Sequence, residues 1–397
     1  MGDGRSGWSR PAAWAIAALV LLVGCRGAET TSESPAGVTT TRSVEQAAPT
    51  WSALPPAPIA GRIAAASVWT GREMIVWGGL SGTEKARTND GAAYDPVAGT
   101  WRTIAPAPAG VAGEAHLGAV WTGDEAVFWA GNPPDGPVVG AVYNPGTNTW
   151  RGLADGPLDT RDGYTSVWTG SEMMIIGGHG GRGHSTPVAA AVNPRSGAWR
   201  PLPAFDALFG LQLRKAVWDG NEVLAMGSLS TCPALGAGCG ESRPIFLGFN
   251  PATNVRREIS LVEAPFDTTV PMALVGWTGT EAAFARYPES SVAIARYDPR
   301  SQTWRTGPES PCPRGSTYVQ DAWLGDRFVA ACGDDRLQVY DLAANSWSTV
   351  AAGASPLNSR AGSAVVWTGT TLLAWSGTIA SSGNPTPSDG SSISLRR

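Results

Sequence analysis

Lysine is nearly absent from this chain. Lys85 and Lys215 are the only two in 397 residues, and charged residues make up 16% of the sequence, against about 25% in an average protein. The formal net charge is −4. A mildly acidic chain lacks the positive footprint of a nucleic-acid-binding protein. Hydrophobic residues nevertheless reach 43%, which excludes intrinsic disorder over the whole length.

Residues that commonly carry chemistry are also scarce. The three histidines are His116, His179 and His184. The last two stand in a glycine-rich stretch rather than on one helix face, which is a weak signal for a metal. The chain has no G-x-S-x-G nucleophile elbow and no phosphate-binding loop. We therefore predict no cofactor, no metal site and no catalytic set.

Long apolar runs are missing as well. The apolar stretch Pro11–Val23 follows Arg5 and Arg10 and is too short to span a bilayer about 30 Å thick. It ends in Leu22-Val23-Gly24-Cys25, which resembles the lipobox of bacterial lipoproteins. That resemblance implies a signal peptide over residues 1–24, a lipidated Cys25 and export to the cell envelope. The alternative is an ordinary signal peptide that contains a cysteine. Residues 25–50 are rich in Ser and Thr and predict a disordered tether.

The rest of the chain, residues 51–397, is organised by a repeat of about fifty residues. The string Val-Trp-Thr-Gly, or a close variant of it, occurs seven times. Its tryptophans are Trp69, Trp121, Trp168, Trp218, Trp277, Trp323 and Trp367. A second marker has an aromatic residue or valine seven positions before a closing tryptophan, as in "YDPVAGTW" from Tyr94. Repeat four carries Arg256 in place of that tryptophan.

Each repeat predicts four strands. Thr-Gly favours a tight turn after the first strand, an apolar run such as "EMIVWGG" (73–79) predicts the second, and Asp-Pro or Asn-Pro predicts a turn after the third. The doublets Gly78-Gly79 and Gly177-Gly178, the Tyr-Asp-Pro turns and the closing tryptophans resemble the kelch family. The resemblance implies an all-β fold: a seven-bladed β-propeller of four-stranded blades, similar to the central domain of galactose oxidase. The copper-binding set of that enzyme cannot be placed here.

The ends of the repeat region predict how the fold is closed. Trp51–Leu54 matches a fourth strand with no other strands before it, and residues 388–397 match a third strand with no fourth after it. We therefore expect the N-terminal strand to complete the last blade as its outer strand. Such closure protects the strand edges of the fold.

Candidate ligand-binding residues fall on one predicted face. Spacing varies most between strands 2 and 3, and that loop shares a face with the crossover from strand 4 to strand 1. The candidates on this face are Arg62, Glu114, His116, Arg161, Asp162, His179, Arg182, His184 and Arg360. Several guanidinium groups together can hold a carboxylate by bidentate hydrogen bonds. The alternative is that these arginines bond loop carbonyls.

The remaining cysteines fit an exported protein, because export leads to a compartment that permits disulfides. We predict two pairs, Cys232–Cys239 and Cys312–Cys332. Free thiols or a four-cysteine metal site are the alternatives, although no close CxxC pair supports zinc.

Two functions follow. The first is a monomeric, lipid-anchored module in the cell envelope that binds envelope glycans or proteins through this loop face and touches the membrane only through its lipid. The second is a carbohydrate-active enzyme, similar to the kelch-type sialic acid mutarotases, that grips an acidic sugar with its Arg/Glu cluster. Fold does not decide between them, since propellers carry unrelated functions.

Overall fold

A computed structural model of the chain describes the following residues: 49–108, 111, 118–130, 139–159, 161–180, 189–205, 208, 210–230, 242–262, 264, 272–287, 291–311, 320–331, 336–353, 360–379 and 387–395. These belong to the unit Ala47–Arg397. The side chains of a few strand-end residues, among them Asp162 and His179, are not described. The predicted signal peptide, Cys25 and the tether lie outside the described residues.

The first half of this unit is built from short strands. In chain order they are β1 (Ser52–Ala53), β2 (Arg62–Ile63), β3 (Ala66–Trp69), β4 (Met74–Trp77), β5 (Leu80–Ser81), β6 (Ala86–Arg87), β7 (Gly91–Asp95), β8 (Thr100–Thr103), β9 (Gly118–Trp121), β10 (Ala126–Ala130), β11 (Val139–Asn144), β12 (Thr149–Gly152), β13 (Arg161–Trp168), β14 (Met173–Gly180), β15 (Ala189–Val192) and β16 (Trp199–Pro201).

A 3-10 turn, Pro203–Phe205, precedes the strands of the second half. These are β17 (Leu211–Trp218), β18 (Val223–Ser230), β19 (Ser242–Asn250), β20 (Val255–Glu258), β21 (Met272–Trp277), β22 (Ala282–Arg286), β23 (Ala293–Asp298), β24 (Thr303–Glu309), β25 (Gln320–Trp323), β26 (Arg327–Ala331), β27 (Arg336–Asp341), β28 (Ser346–Ala351), β29 (Arg360–Ala361), β30 (Ala364–Trp367), β31 (Thr371–Trp375), β32 (Thr378–Ile379) and β33 (Gly390–Ser394).

Within the described residues the strands form seven four-stranded antiparallel sheets, which confirms the prediction of an all-β fold of four-stranded repeats. Sheets 1 to 7 have the strand orders β3-β4-β7-β8, β9-β10-β11-β12, β13-β14-β15-β16, β17-β18-β19-β20, β21-β22-β23-β24, β25-β26-β27-β28 and β30-β31-β33-β1. The last sheet joins both ends of the unit, because Ser52 and Ala53 pair with Ser392 and Ser391. Short additional ladders extend sheet 1 (β2-β5-β6) and sheet 7 (β29-β32).

The burial of each strand follows from its place in the sheet. In first strands the burial of the residues alternates. In β3, for example, buried and half-buried residues follow each other. Second and third strands are covered on both faces, and all four residues of β4 are buried. Such strands appear in the sequence as continuous apolar runs. Fourth strands are mostly exposed, as in β12, where three of the four residues are exposed.

The core lies between sheets rather than within them. Seven hydrophobic clusters each combine residues of two consecutive sheets, and one of the seven joins sheet 7 to sheet 1. In that last cluster Trp375 of β31 packs with Met74 and Val76 of β4. Burial of apolar surface at about 25 cal/mol per Å² therefore favours a stack in which every sheet has two neighbours.

Closing tryptophans connect several of the sheets to the sheet before them. The Trp150 indole N–H donates to the Ala105 carbonyl at 2.7 Å, and Trp199 donates to Ala154 at 2.8 Å. Both carbonyls lie just after the fourth strand of the preceding sheet. Arg256, which replaces the tryptophan of repeat four, donates its Nε–H to the Ala204 carbonyl at 3.0 Å. The substitution therefore keeps a hydrogen-bond donor at this position but removes the aromatic ring.

A second repeated contact holds the outer strand in sheets 1 to 5. A glutamate just before strand 2 pairs with an arginine of strand 4, as in Glu73 and Arg102, where two N–H···O bonds measure 2.9 and 2.7 Å. The equivalent pairs are Glu125–Arg151, Glu172–Arg200, Glu222–Arg257 and Glu281–Arg305. Sheet 7 has Thr371 and Ser52 at these two positions, so its outer strand is held without such a pair.

Candidate functional site

Arg62, the first of the predicted loop-face arginines, is buried, with 1% of its surface exposed. Its Nη1 donates to the Asp90 carboxylate at 2.8 Å, to the Thr88 hydroxyl at 2.8 Å and to the Gly78 carbonyl at 3.3 Å. Its Nε donates to the Ala60 carbonyl at 2.9 Å. The guanidinium is thus held on several sides by acceptors of its own repeat.

Arg161 repeats this arrangement in sheet 3. It is 2% exposed, and it donates to the Gly177 carbonyl at 3.1 Å and to the Asp159 carboxylate at 2.8 Å. Burial lowers the pKa of Arg161, and the neighbouring Asp159 acts in the opposite direction. Gly78 and Gly177 are the first residues of the two Gly-Gly doublets. In these two repeats the arginine and the doublet therefore form one structural unit.

Arg360 occupies the same position in sheet 7 but is less enclosed. Its Nη2 donates to the Asp389 carboxylate at 2.8 Å, and the Asp389 side chain is 61% exposed. Hydrogen bonding from Arg360 lowers the pKa of Asp389. This arginine stands closer to solvent than the other two, and it too has an acidic partner.

A backbone kink sets the position of all three arginines. Five residues before the Trp-Thr-Gly tryptophan, the backbone has positive φ at Ala64 (53°), Gly163 (71°) and Gly362 (69°). The kinks of sheets 1 and 7 also touch, since the Ala64 N–H donates to the Gly362 carbonyl at 2.9 Å. Ser376 strengthens this junction. Its hydroxyl accepts from the Arg62 N–H at 2.6 Å and donates to the Arg62 carbonyl at 2.8 Å.

The other loop-face candidates are not brought together by described side chains. Asp162 and His179 are paired across β13 and β14 by backbone register. Glu114, His116, Arg182 and His184 lie outside the described residues, as do the four cysteines Cys232, Cys239, Cys312 and Cys332. Both disulfide pairs therefore stay predictions.

A cavity of about 310 Å³ lies elsewhere, among the first strands of sheets 1 to 4. This volume is at the lower end of the range of small-molecule pockets. Small and hydroxyl-bearing residues dominate the lining, which consists of Ala65, Ala66, Ser67, Gly118, Ala119, Tyr164, Thr165, Ser166 and Arg214.

Tyr164 forms one fixed wall of this cavity. Its hydroxyl accepts a hydrogen bond from the Gly118 N–H at 2.8 Å and donates one to the Trp129 carbonyl at 3.0 Å. The ring also stacks edge-on against Trp129, with centroids 4.8 Å apart. Sheets 2 and 3 are therefore braced where the cavity opens between them.

Arg214 is the charged group of the lining. In the pairing of β17 with β18, Leu213 faces Gly227 and Lys215 faces Met226, so Arg214 is the extra residue of a β-bulge. Bulges redirect a side chain relative to the regular ladder. The bulge depends on Gly227, because a Cβ there would collide with the Gln212 carbonyl oxygen. Arg214 is exposed.

Sequence reasoning missed this site. A signal was present, because the residue four positions before the Trp-Thr-Gly tryptophan is Ala65 in repeat 1, Tyr164 in repeat 3 and Ser363 in repeat 7, whereas repeat 4 has arginine.

Within the ranges that the structure describes, no helix is long and apolar enough to cross a membrane. In the same part of the chain, no group of three or more His, Cys, Asp or Glu side chains is placed to hold a metal ion.

No protein-family model matches the chain, and no curated protein is significantly similar to it.

Proposed function

We propose that residues 51–397 form a closed, seven-bladed, kelch-like β-propeller, in which β1 serves as the outer strand of the last blade. The seven four-stranded sheets, the clusters that join consecutive sheets, including sheet 7 to sheet 1, and the pairing of β1 with β33 support this arrangement. A ring of sheets of this kind provides a rigid frame on which loops and inner strands present a binding site.

The function we propose for this propeller is binding rather than catalysis. The protein is a lipid-anchored module of the cell envelope, attached through Cys25 and the tether of residues 25–50 to the outer side of the cytoplasmic membrane or to a periplasmic or outer-membrane face. It acts as a monomer on an envelope glycan or protein. The pairs Cys232–Cys239 and Cys312–Cys332 stabilise its loops.

The cavity at the first strands of sheets 1 to 4 carries this proposal. Its lining comes from four separate sheets, so the frame holds the lining residues in place before a ligand arrives, and such preorganisation favours binding. The loop-face arginines supply less support. Arg62 and Arg161 already donate to carbonyl and carboxylate groups of the protein. No described contact favours the mutarotase-like alternative, and that alternative stays a prediction from the sequence.

The test is a thermal-shift screen of the purified full-length protein against neutral saccharides, acidic saccharides and envelope polysaccharides. A ligand that binds only the folded state raises the melting temperature by mass action. We expect such a shift in the wild type and its loss in Ser166→Phe, which fills the cavity. Ser166→Ala removes only one hydroxyl group and is expected to keep a smaller shift. A shift of equal size in Ser166→Phe contradicts the cavity as the site.

A further inference from the structure

We infer that the cavity binds a small carboxylate that also carries hydroxyl groups, and that Arg214 is the residue that recognises the carboxylate. This inference rests on the proposed function, because it assigns a ligand class to the same cavity. It concerns a different arginine from those predicted on the loop face.

The first step in the argument is the state of Arg214. The arginines of the sheet edges have carboxylate partners, as Arg102 has in Glu73 and Arg200 has in Glu172. Arg214 has no hydrogen-bond or ion-pair partner among the described residues, and it is exposed at the cavity. A guanidinium is a planar fork of donors, a geometry that matches a carboxylate.

The second step is the way in which Arg214 is presented. A regular ladder would give every residue of β17 a partner in β18, but the bulge leaves Arg214 without one. The bulge costs the sheet regular pairing at that point and requires glycine at position 227. Bulges of this kind are common next to functional sites, where they aim a side chain. The regular pairing of β17 with β18 is therefore interrupted at Arg214, the residue that contributes a positive charge to the cavity lining.

The third step is the chemistry of the remaining lining. Ser67, Thr165 and Ser166 present hydroxyl groups that donate and accept hydrogen bonds. The Ser67 hydroxyl makes one long bond, 3.4 Å, to the Val365 carbonyl of the neighbouring first strand. The Ser166 hydroxyl makes no hydrogen bond among the described residues, although the backbone of Ser166 belongs to the ladder with β14. Alanine and glycine leave the space open around them. A ligand with one carboxylate and several hydroxyl groups satisfies both kinds of residue.

The test is isothermal titration calorimetry on the full-length protein with D-glucuronate, D-glucose and inorganic phosphate as probes. Glucuronate and glucose share a hydroxylated ring and differ by the carboxylate. We expect glucuronate to bind at least tenfold more tightly than glucose or phosphate. Loss of a charge-assisted hydrogen bond predicts that Arg214→Gln weakens glucuronate binding by about ten- to hundredfold.

Two further variants complete the design. Arg300→Gln removes the same charge from an exposed turn outside the cavity and is expected to leave binding unchanged. Arg214→Lys keeps the charge without the fork, and intermediate affinity is expected. Equal binding of glucose and glucuronate, equal binding of phosphate, or unchanged glucuronate binding in Arg214→Gln overturns the inference.

The inference and the proposed function fail in different ways. If Ser166→Phe abolishes binding of both sugars while Arg214→Gln weakens neither, the cavity is a binding site and the carboxylate assignment is wrong. If no probe binds the wild type, the carboxylate assignment is wrong, and the screen with envelope polysaccharides separately decides whether the cavity binds anything.

Discussion

Replacement of Arg62 by alanine separates a structural role for the loop-face arginines from a ligand-binding one. The guanidinium of Arg62 is fully enclosed, whereas its partner Asp90 is half-exposed, with 51% of the side chain accessible. Removal of one member of a buried ion pair costs about 3–5 kcal/mol. Because water can reach Asp90 after the substitution, we expect the lower limit, a loss of about 3 kcal/mol in the free energy of unfolding.

Arg360→Ala provides the matched comparison, since Arg360 occupies the same repeat position. Its partner Asp389 is 61% exposed, and exposed ion pairs contribute about 0–1 kcal/mol. Urea unfolding followed by tryptophan fluorescence measures both variants. The two losses are expected to differ by about 2 kcal/mol.

Two results would refute this reasoning. Equal stabilities of Arg62→Ala and Arg360→Ala would mean that enclosure of the Arg62 guanidinium contributes nothing. If the Arg62→Ala protein is as stable as the wild type but has lost ligand binding, Arg62 binds the ligand and the loop face is the binding site. Arg300→Ala, on an exposed turn, controls for the loss of one positive charge and is expected to change stability by less than about 0.5 kcal/mol.

Three further predictions concern the backbone kink, the repeat-four arginine and an acidic turn. Ala64→Gly is expected to stabilise the protein by about 1 kcal/mol, because alanine at φ 53° is strained and glycine is not; chemical denaturation measures the gain, and a loss of stability contradicts it. Arg256→Ala is expected to lower the free energy of unfolding by about 1 kcal/mol, because the hydrogen bond to the Ala204 carbonyl is lost. Arg256→Trp supplies an indole donor in its place and is expected to be the more stable of the two variants. A lower melting temperature for Arg256→Trp than for Arg256→Ala would contradict the role of this repeated contact. Hydrogen bonding from the Ala98 N–H lowers the pKa of Asp95 below its unfolded value of about 3.9. The ionised Asp95 carboxylate therefore stabilises the folded protein above that pH, and this stabilisation is lost as the pH falls through the folded-state pKa. Asp95→Asn keeps the turn, as Asn144 does in repeat two, and is expected to flatten the fall in stability below about pH 4; an unchanged acid slope would contradict this.

The repeated elements of the fold could be predicted from the sequence because they depend on local signals. The tight turn at Thr70-Gly71 is one example: the Thr70 hydroxyl accepts the Glu73 N–H at 2.8 Å, and Gly71 has φ 90°. Seven copies of such a turn alternate with the closing positions at regular spacing, and this regularity predicts the four-stranded repeat. The ion pairs of the outer strands also leave a signal in the sequence. Repeats one to five have both a glutamate four residues after the Trp-Thr-Gly tryptophan and an arginine directly after the closing position, and repeats six and seven have neither.

The cavity could not be predicted in the same way, because its residues come together only through packing between sheets. Arg62 lies in β2, shortly before the first strand of sheet 1, and Arg214 lies in the first strand of sheet 4. The first is enclosed because Asp90 and Gly78 lie beside it, and the second is exposed because Gly227 allows the strand to bulge. Arg214 stands out in the sequence only by its position in repeat four, and that position does not show whether the side chain is exposed. The recurrence of arginine at the position of Arg62 favoured the enclosed residue instead.

Sheet 7 takes its outer strand from the beginning of the unit and its other three from the end. A ribosome makes Ser52 and Ala53 more than three hundred residues before it makes Ser391 and Ser392, with which they pair. The first strand therefore stays without its partner until the strand Gly390–Ser394 has been made. A chain interrupted before residue 390 cannot form the outer ladder of the last sheet, whereas the strands of the other six sheets are already present.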